Sequence, residues 1–293
     1  MKKNYFFSAV LAIAATVACT EKGPVDFPIQ GDLALYGENV AGQEVGVFVT
    51  SAGLPQSNLL YTAAEGEGEG AVALTAKAEK AGFKQGNHMI YAYAPYAEAA
   101  AELTAIPMPD YSVQETAEYD PYAGTDYAGM MISYNSTAKP FYSAVLEVKE
   151  YSSAAYTLPF TEAVSLTEVS VMEFSLSGDN ANSKIDKKVN KIVVTADTPI
   201  AIKNASYDFV ERKINKEDSK SIELKVDYAI YKSYFVSGNG FSFKTSADLN
   251  GKTVKIEAYL EDGSVFAGEA TVSPGYLDPN SLMVSGLDLA EVK

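Results

Sequence analysis

Short apolar runs bounded by turn residues recur roughly every 8–15 residues along this chain, and no amphipathic stretch exceeds two helical turns. That spacing constrains the fold more than any other feature, because strands this short gain stability only by pairing and stacking with many others. In the first half Leu33 and Leu35 alternate with smaller residues. Residues 44–50 (EVGVFVT) form a β-branched run that is buried on both faces if Val47 and Phe48 are both core. Residues 88–94 (HMIYAYA) form another, and 142–149 (YSAVLEVK) alternate around Ala144, Leu146 and Val148. The second half offers strand candidates at 164–176, 191–195, 221–226, 241–245, 253–260, 265–272 and 282–292, with Asp262-Gly263 as a tight hairpin turn. In the last of these, Leu282 and Val284 share one parity while Leu287 and Leu289 share the other, which predicts a one-residue β-bulge at Gly286. Three stretches read differently. Residues 64–70 (AEGEGEG) predict a mobile acidic loop, 97–104 (AEAAAELT) a short helix, and the Pro-, Gly- and Tyr-rich 107–134 irregular structure laid over a sheet. The fold class is all-β, with two β-sandwiches in tandem.

The N-terminus reads as an export signal. Lys2 and Lys3 precede an apolar segment from Phe6 to Val17, which is too short to cross ~30 Å of hydrocarbon as a helix. Thr16-Val17-Ala18-Cys19 then resembles a bacterial lipobox, although Thr16 stands where Leu is commonest. The expectation is cleavage after Ala18 (residues 1–18 removed), lipid on Cys19 and a polar tether over 19–31. More than one acyl chain makes such an anchor stable. An ordinary signal cut near Ala18, leaving a free thiol, is the alternative. Cys19 is the only cysteine, so no intramolecular disulfide is available to the fold. Losing Lys2 and Lys3 takes the net charge from −15 to −17, which speaks against nucleic acid as a partner. Residues 19–165 carry 6 Lys against 19 acidic residues, while 166–293 carry 15 basic residues against 19. With the strand pattern, that break divides the chain into domains at 32–163 and 164–293.

Residues with catalytic chemistry are scarce. His88 is the only histidine and lies beside an apolar strand, so a Ser-His-Asp or Cys-His arrangement has nothing to assemble around. Zinc would need several His or Cys ligands. Asp110, Glu115, Glu118, Asp120 and Asp126 cluster without the spacing of a calcium loop. No catalytic residue, metal or cofactor is therefore expected. Tyrosines 91, 93, 96, 122 and 127 form the one set suited to stacking on sugar rings, which gives the alternative of a surface glycan-binding protein.

Several segments occur in the order found in one family. Gly46-Val47-Phe48 is followed by Tyr91-Ala92-Tyr93-Ala94-Pro95-Tyr96, then Ile106-Pro107-Met108-Pro109 with Gln114, then Asp126-Tyr127-Ala128-Gly129-Met130-Met131 and Phe141-Tyr142-Ser143-Ala144-Val145-Leu146. Residues 191–195 (KIVVT), 222–224 (IEL) and 287–289 (LDL) fit more loosely. This set resembles the fimbrillin family of Gram-negative lipoproteins, over most of residues 40–293. The resemblance implies two transthyretin-like β-sandwich domains, an outer-membrane and cell-surface location, and partners that are other fimbrial subunits or surface ligands. It also implies assembly by β-strand addition, in which an arginine-specific protease removes the lipidated segment with the first strand and another subunit's strand fills the groove. Here the only arginine is Arg212, with none between Cys19 and residue 80. The chain is accordingly expected to keep its lipid and first strand, as an anchor or accessory subunit does. Leu282, Val284, Leu287 and Leu289 mark the expected donor strand.

Overall fold

The computed structural model describes residues 34–51, 54–55, 58–66, 70–79, 81, 87–120, 123–126, 132–149, 155–176, 187–230, 240–276 and 281–292. Among these, every regular element is a strand. The signal segment, Ala18, Cys19, the tether, Tyr122, Tyr127 and the loop tip 67–69 lie outside them.

The chain builds β1 (Leu35–Glu38), β2 (Glu44–Ser51), β3 (Leu54–Pro55), β4 (Leu59–Ala63), β5 (Ala71–Ala76) and β6 (His88–Ala94). An excursion follows, with β7 (Ile106–Pro107), β8 (Val113–Tyr119) and β9 (Ser133–Ser136), before β10 (Phe141–Val148), β11 (Tyr156–Leu158) and β12 (Thr161–Val164). Nine of these strands form one sheet in the order β11-β1-β5-β4-β2-β6-β10-β12, with β3 on β2. Since β11 lies on β1 at one end of that path and β12 on β10 at the other, the single stretch 156–164 seams both ends of the sheet. The result is a barrel-like first body around Val45, Val47, Val49, Ile90, Ala92 and Leu158.

The second body comprises β13 (Thr167–Leu176), β14 (Lys187–Ala196), β15 (Ala201–Asp208), β16 (Lys213–Ser219), β17 (Ser221–Ile230), β18 (Gly240–Thr245), β19 (Thr253–Leu260), β20 (Val265–Thr271), β21 (Ser273–Pro274) and β22 (Leu282–Glu291). Its large sheet runs β13-β18-β9-β8-β17-β14-β19-β20-β22, and β22 also pairs with β13. The path therefore closes into a ring, sealed on one side by β22 and on the other by the β8–β9 hairpin. Inside lie Val169, Val171, Ile192, Val194, Leu224, Phe241, Phe243 and Ile256. A small sheet, β16-β15-β7, packs alongside.

β2 is buried on both faces, as its sequence predicts. Val45, Val47 and Val49 point into the first core, and Phe48 points the other way into the second. There Phe48 begins a run of aromatic contacts through Tyr93 and Phe141 of the first body to Tyr207 and Phe209 at the end of β15, with centroid separations of 6.4, 6.1, 5.7 and 4.9 Å. Stacked and edge-on pairs at such distances add stabilisation beyond their buried area.

The β19–β20 turn has the expected form. Gly263 has φ of +84°, and the Asp262 carboxylate accepts the Ser264 amide at 2.9 Å. Three expectations need revision, and the β15–β16 hairpin has no counterpart among them. The 97–104 stretch makes single turns closed by Ala100 N–H to Ala97 O and Ala105 N–H to Glu102 O, and the Ala97 carbonyl also accepts from Asn58 Nδ2 and the Tyr93 hydroxyl. The 107–134 stretch holds two sheet strands, hidden in the sequence because the buried inward residue of β8 is Gln114 and not an apolar one. The run from 164 is two strands, broken after Val164 where the chain passes between bodies. The β15–β16 hairpin escapes the pattern because β16 (KINKEDS) is almost wholly exposed and charged, and β15 carries a register shift with Asn204 at φ +47°. Charge on the outer strand is a common device for protecting an edge.

Candidate functional site

β22 is the element whose placement bears most directly on function. Leu282, Val284, Leu287 and Leu289 are all buried, and the strand between them is exposed at Ser285 and Gly286. Gly286 has φ of +64°, a conformation that costs other L-residues about 1 kcal/mol or more, and a Cβ there would meet nothing within 4 Å. The expected one-residue bulge takes another form. The pairing of β22 with β13 keeps a constant offset of 113 positions on both sides of Gly286, from Val169↔Leu282 to Leu176↔Leu289. No extra residue is inserted, because β13 switches parity at the same level: Val169 and Val171 are buried, Met172 is exposed, and the partly buried side is resumed at Leu176. Beyond this shared kink β22 crosses to β20, pairing Ala290 with Ala267 and Glu291 with Phe266. Gly268 on β20 makes the crossing possible. A Cβ there would lie 3.0 Å from the Asp288 carbonyl oxygen and 3.0 Å from Leu289 Cδ2. β22 is thus an apolar strand seated between two others, backbone-paired on both sides.

The opposite seam is polar. β8 pairs in parallel with β17 through Val113, Gln114 and Glu115, and β9 pairs in parallel with β18 through Ser133, Tyr134 and Asn135. Where the β9–β18 ladder ends, the Gln114 amide stands in for a peptide group. Its Nε2 donates to Lys244 O at 2.6 Å and Tyr111 O at 2.9 Å, and its Oε1 accepts from Lys244 N at 3.0 Å and Ser136 Oγ at 2.6 Å. Both Gln114 and Ser136 are buried, so these bonds replace ones to water with nothing left unmet. Beside the hairpin, an open cleft of about 390 Å³ is lined by Glu115, Thr116, Glu118, Tyr134, Lys225 and Val226. The Lys225 ammonium is bonded to Glu115 at 2.6 Å, and that hydrogen bond, followed by the charge of the carboxylate, holds its pKa above the usual lysine value.

Of the five tyrosines proposed for sugar stacking, the three among the described residues, Tyr91, Tyr93 and Tyr96, pack against the core. Tyr93 is fully buried, with its ring between Phe48 and Phe141 and its hydroxyl donating to Ala97 O at 3.0 Å. Burial pushes its pKa up to about 12, against the lowering effect of hydrogen bonds from Ala97 and Asn58. Tyr91 is half-buried edge-on against Phe209 at 5.4 Å, and Tyr96 is half-buried against the same core. The physical reason is that a second body covers the face of β6 that a lone sandwich would leave wet. His88 is buried at the start of β6, with Nδ1 3.4 Å from Thr50 O. Among the described residues no group of three or more His, Cys, Asp or Glu is placed to hold a metal ion.

No family model matches the sequence, and no curated protein matches it. Solved structures do. One is described as a "putative cell adhesion protein" from Bacteroides ovatus, at 12% identity and TM-score 0.41, covering 90% of this chain and 96% of that one. Another is described as a "putative adhesin" from the same species, at 12% identity and TM-score 0.33, covering 86% of each chain. A third is the fimbrial anchor protein Mfa2 from Porphyromonas gingivalis, at 11% identity and TM-score 0.31, covering 89% of each.

Proposed function

We propose that this chain is a fimbrillin-like cell-surface lipoprotein that acts as a structural and adhesive subunit, of anchor or accessory type, in fimbriae assembled by β-strand addition. The observation that carries the reading is the seat of β22. A strand with buried side chains at 282, 284, 287 and 289, paired on both edges and closing a ring, occupies in its own body the position a donor strand takes in a partner. The ordered motifs from Gly46 to Leu289 and the lipobox at Cys19 support it from the sequence side. Each body is read as a transthyretin-like sandwich whose edges are seamed, the first by 156–164 and the second by β22 and β8–β9.

Retention of the lipid follows from where arginine lies. Arg212 is exposed at the β15–β16 turn with φ of +52°, far along the chain from β1, so cleavage there would not release the first strand. Mass spectrometry of surface-exposed material tests this: the expected mature N-terminus is acylated Cys19 with β1 retained, and one downstream of Tyr36 would overturn the proposal. Assembly has its own test. Mild extraction should yield ladders of associated chains, and removing β22 should abolish them while the first sheet stays folded.

A further inference from the structure

We infer that the β8–β9 hairpin is a holding seam, which keeps the second body in one piece while β22 is out of its seat. The inference rests on the reading of β22 as a donor strand, since only a strand that leaves makes the second seam matter. The ring supplies the argument. With β22 gone, the strands still form one path, β13-β18-β9-β8-β17-β14-β19-β20. With the hairpin gone as well, that path falls into two pieces, β13–β18 and β17–β14–β19–β20, which no ladder joins. Thus the segment that lets β22 depart without dismantling the body comes from the middle of the chain, carried across from the first body between β6 and β10.

The two seams are built from different chemistry, as their different tasks require. β22 is held by a backbone ladder and apolar side chains, and any strand with apolar residues at the same spacing satisfies such a slot. The hairpin is held by directional polar bonds. The Gln114 amide makes four, Thr116 Oγ1 donates to Lys225 O at 2.8 Å, Lys244 Nζ donates to Ala138 O at 2.8 Å, and Lys225 meets Glu115. A fully satisfied polar network has one arrangement, and partial release leaves buried groups unpaired. Exchange is therefore confined to the β22 side.

Amide hydrogen exchange on the intact chain tests the seam under native conditions. β22 amides should exchange at least ~10-fold faster than those of β14, through openings that leave β14 protected. Gly268→Ala presses on β22, at the Asp288 carbonyl and the Leu289 side chain, and should widen that gap. Gln114→Leu should close it, so that β22 and β14 exchange together; if that variant does not fold, Thr116→Val, which removes one hydroxyl donor, should narrow the gap severalfold. Equal β22 and β14 rates in the parent chain would overturn the inference, and so would a gap that neither hairpin variant alters. The donor reading is decided separately with a labelled peptide of residues 281–292. A gap without peptide capture defeats the donor strand and leaves the seam standing.

Discussion

Tyr93 shows how much of this fold depends on single side chains. Its ring fills the space over Gly46, where a Cβ would sit 2.2 Å from a ring carbon, so Gly46→Ala should cost roughly 2 kcal/mol or more by overpacking. Urea unfolding of that variant measures the loss. Its hydroxyl makes a second, pH-dependent contribution. An unfolded tyrosine titrates near 10, whereas burial raises the folded value to about 12. The folded state thus holds its proton more tightly. This stabilisation is whole below pH 10 and is lost as pH rises toward 12, a difference worth roughly 3 kcal/mol. Tyr111, whose pKa burial raises further, adds a loss of the same sign. Denaturation midpoints recorded between pH 8 and 12 should fall steeply above 10. Tyr93→Phe should start about 1 kcal/mol lower and fall less steeply, since it gives up the hydrogen bond and the titration together. A parallel fall in both proteins would place the alkaline sensitivity elsewhere. The sequence shows a tyrosine on an apolar strand but not which face a second body covers, so the burial of Tyr93 was not legible in it.

At the scale of elements, legibility followed the kind of residue that faces inward. β22 was readable as a strand broken at Gly286, because four apolar residues switch parity around that glycine. The shared kink was not, since the compensating switch lies on β13, more than a hundred residues away. β8 was invisible because its interior contact is an amide, and β16 because it has almost no interior. The Gly286 kink allows a clean measurement. A methyl group there meets no atom, so Gly286→Ala should lose about 1 kcal/mol from backbone conformation alone. Gly70→Ala is the matched control: it also meets nothing and does not need positive φ, so it should stay within about 0.5 kcal/mol of the parent. If the two substitutions prove equal in thermal unfolding, β22 is not held in the conformation on which its seating depends.

For the whole molecule, the decisive fact is how often the chain crosses between bodies. A division at 163/164 implies one crossing, yet the chain passes over three times: after β6 into β7, after β9 back to β10, and after β12 into β13. Each crossing ties strands of one body into sheets of the other, and the aromatic run from Phe48 to Phe209 fills the space between them. Inter-domain contacts joined by one linker usually leave room for independent motion and separate unfolding. Three crossings and a shared hairpin remove that freedom, because β17 and β18 have backbone edges that β8 and β9 pair with. The two bodies should therefore unfold together. Chemical denaturation followed by tyrosine fluorescence and by exchange at β4 and at β19 should give coincident midpoints. Residues 164–293 expressed alone lack the hairpin that closes their ring, so they should show the exposed edges and non-cooperative unfolding of an incomplete sheet. Supplying residues 32–163 in trans should restore cooperativity, since that fragment carries β7, β8 and β9. Independent folding of 164–293 would mean that the hairpin only decorates a body already complete.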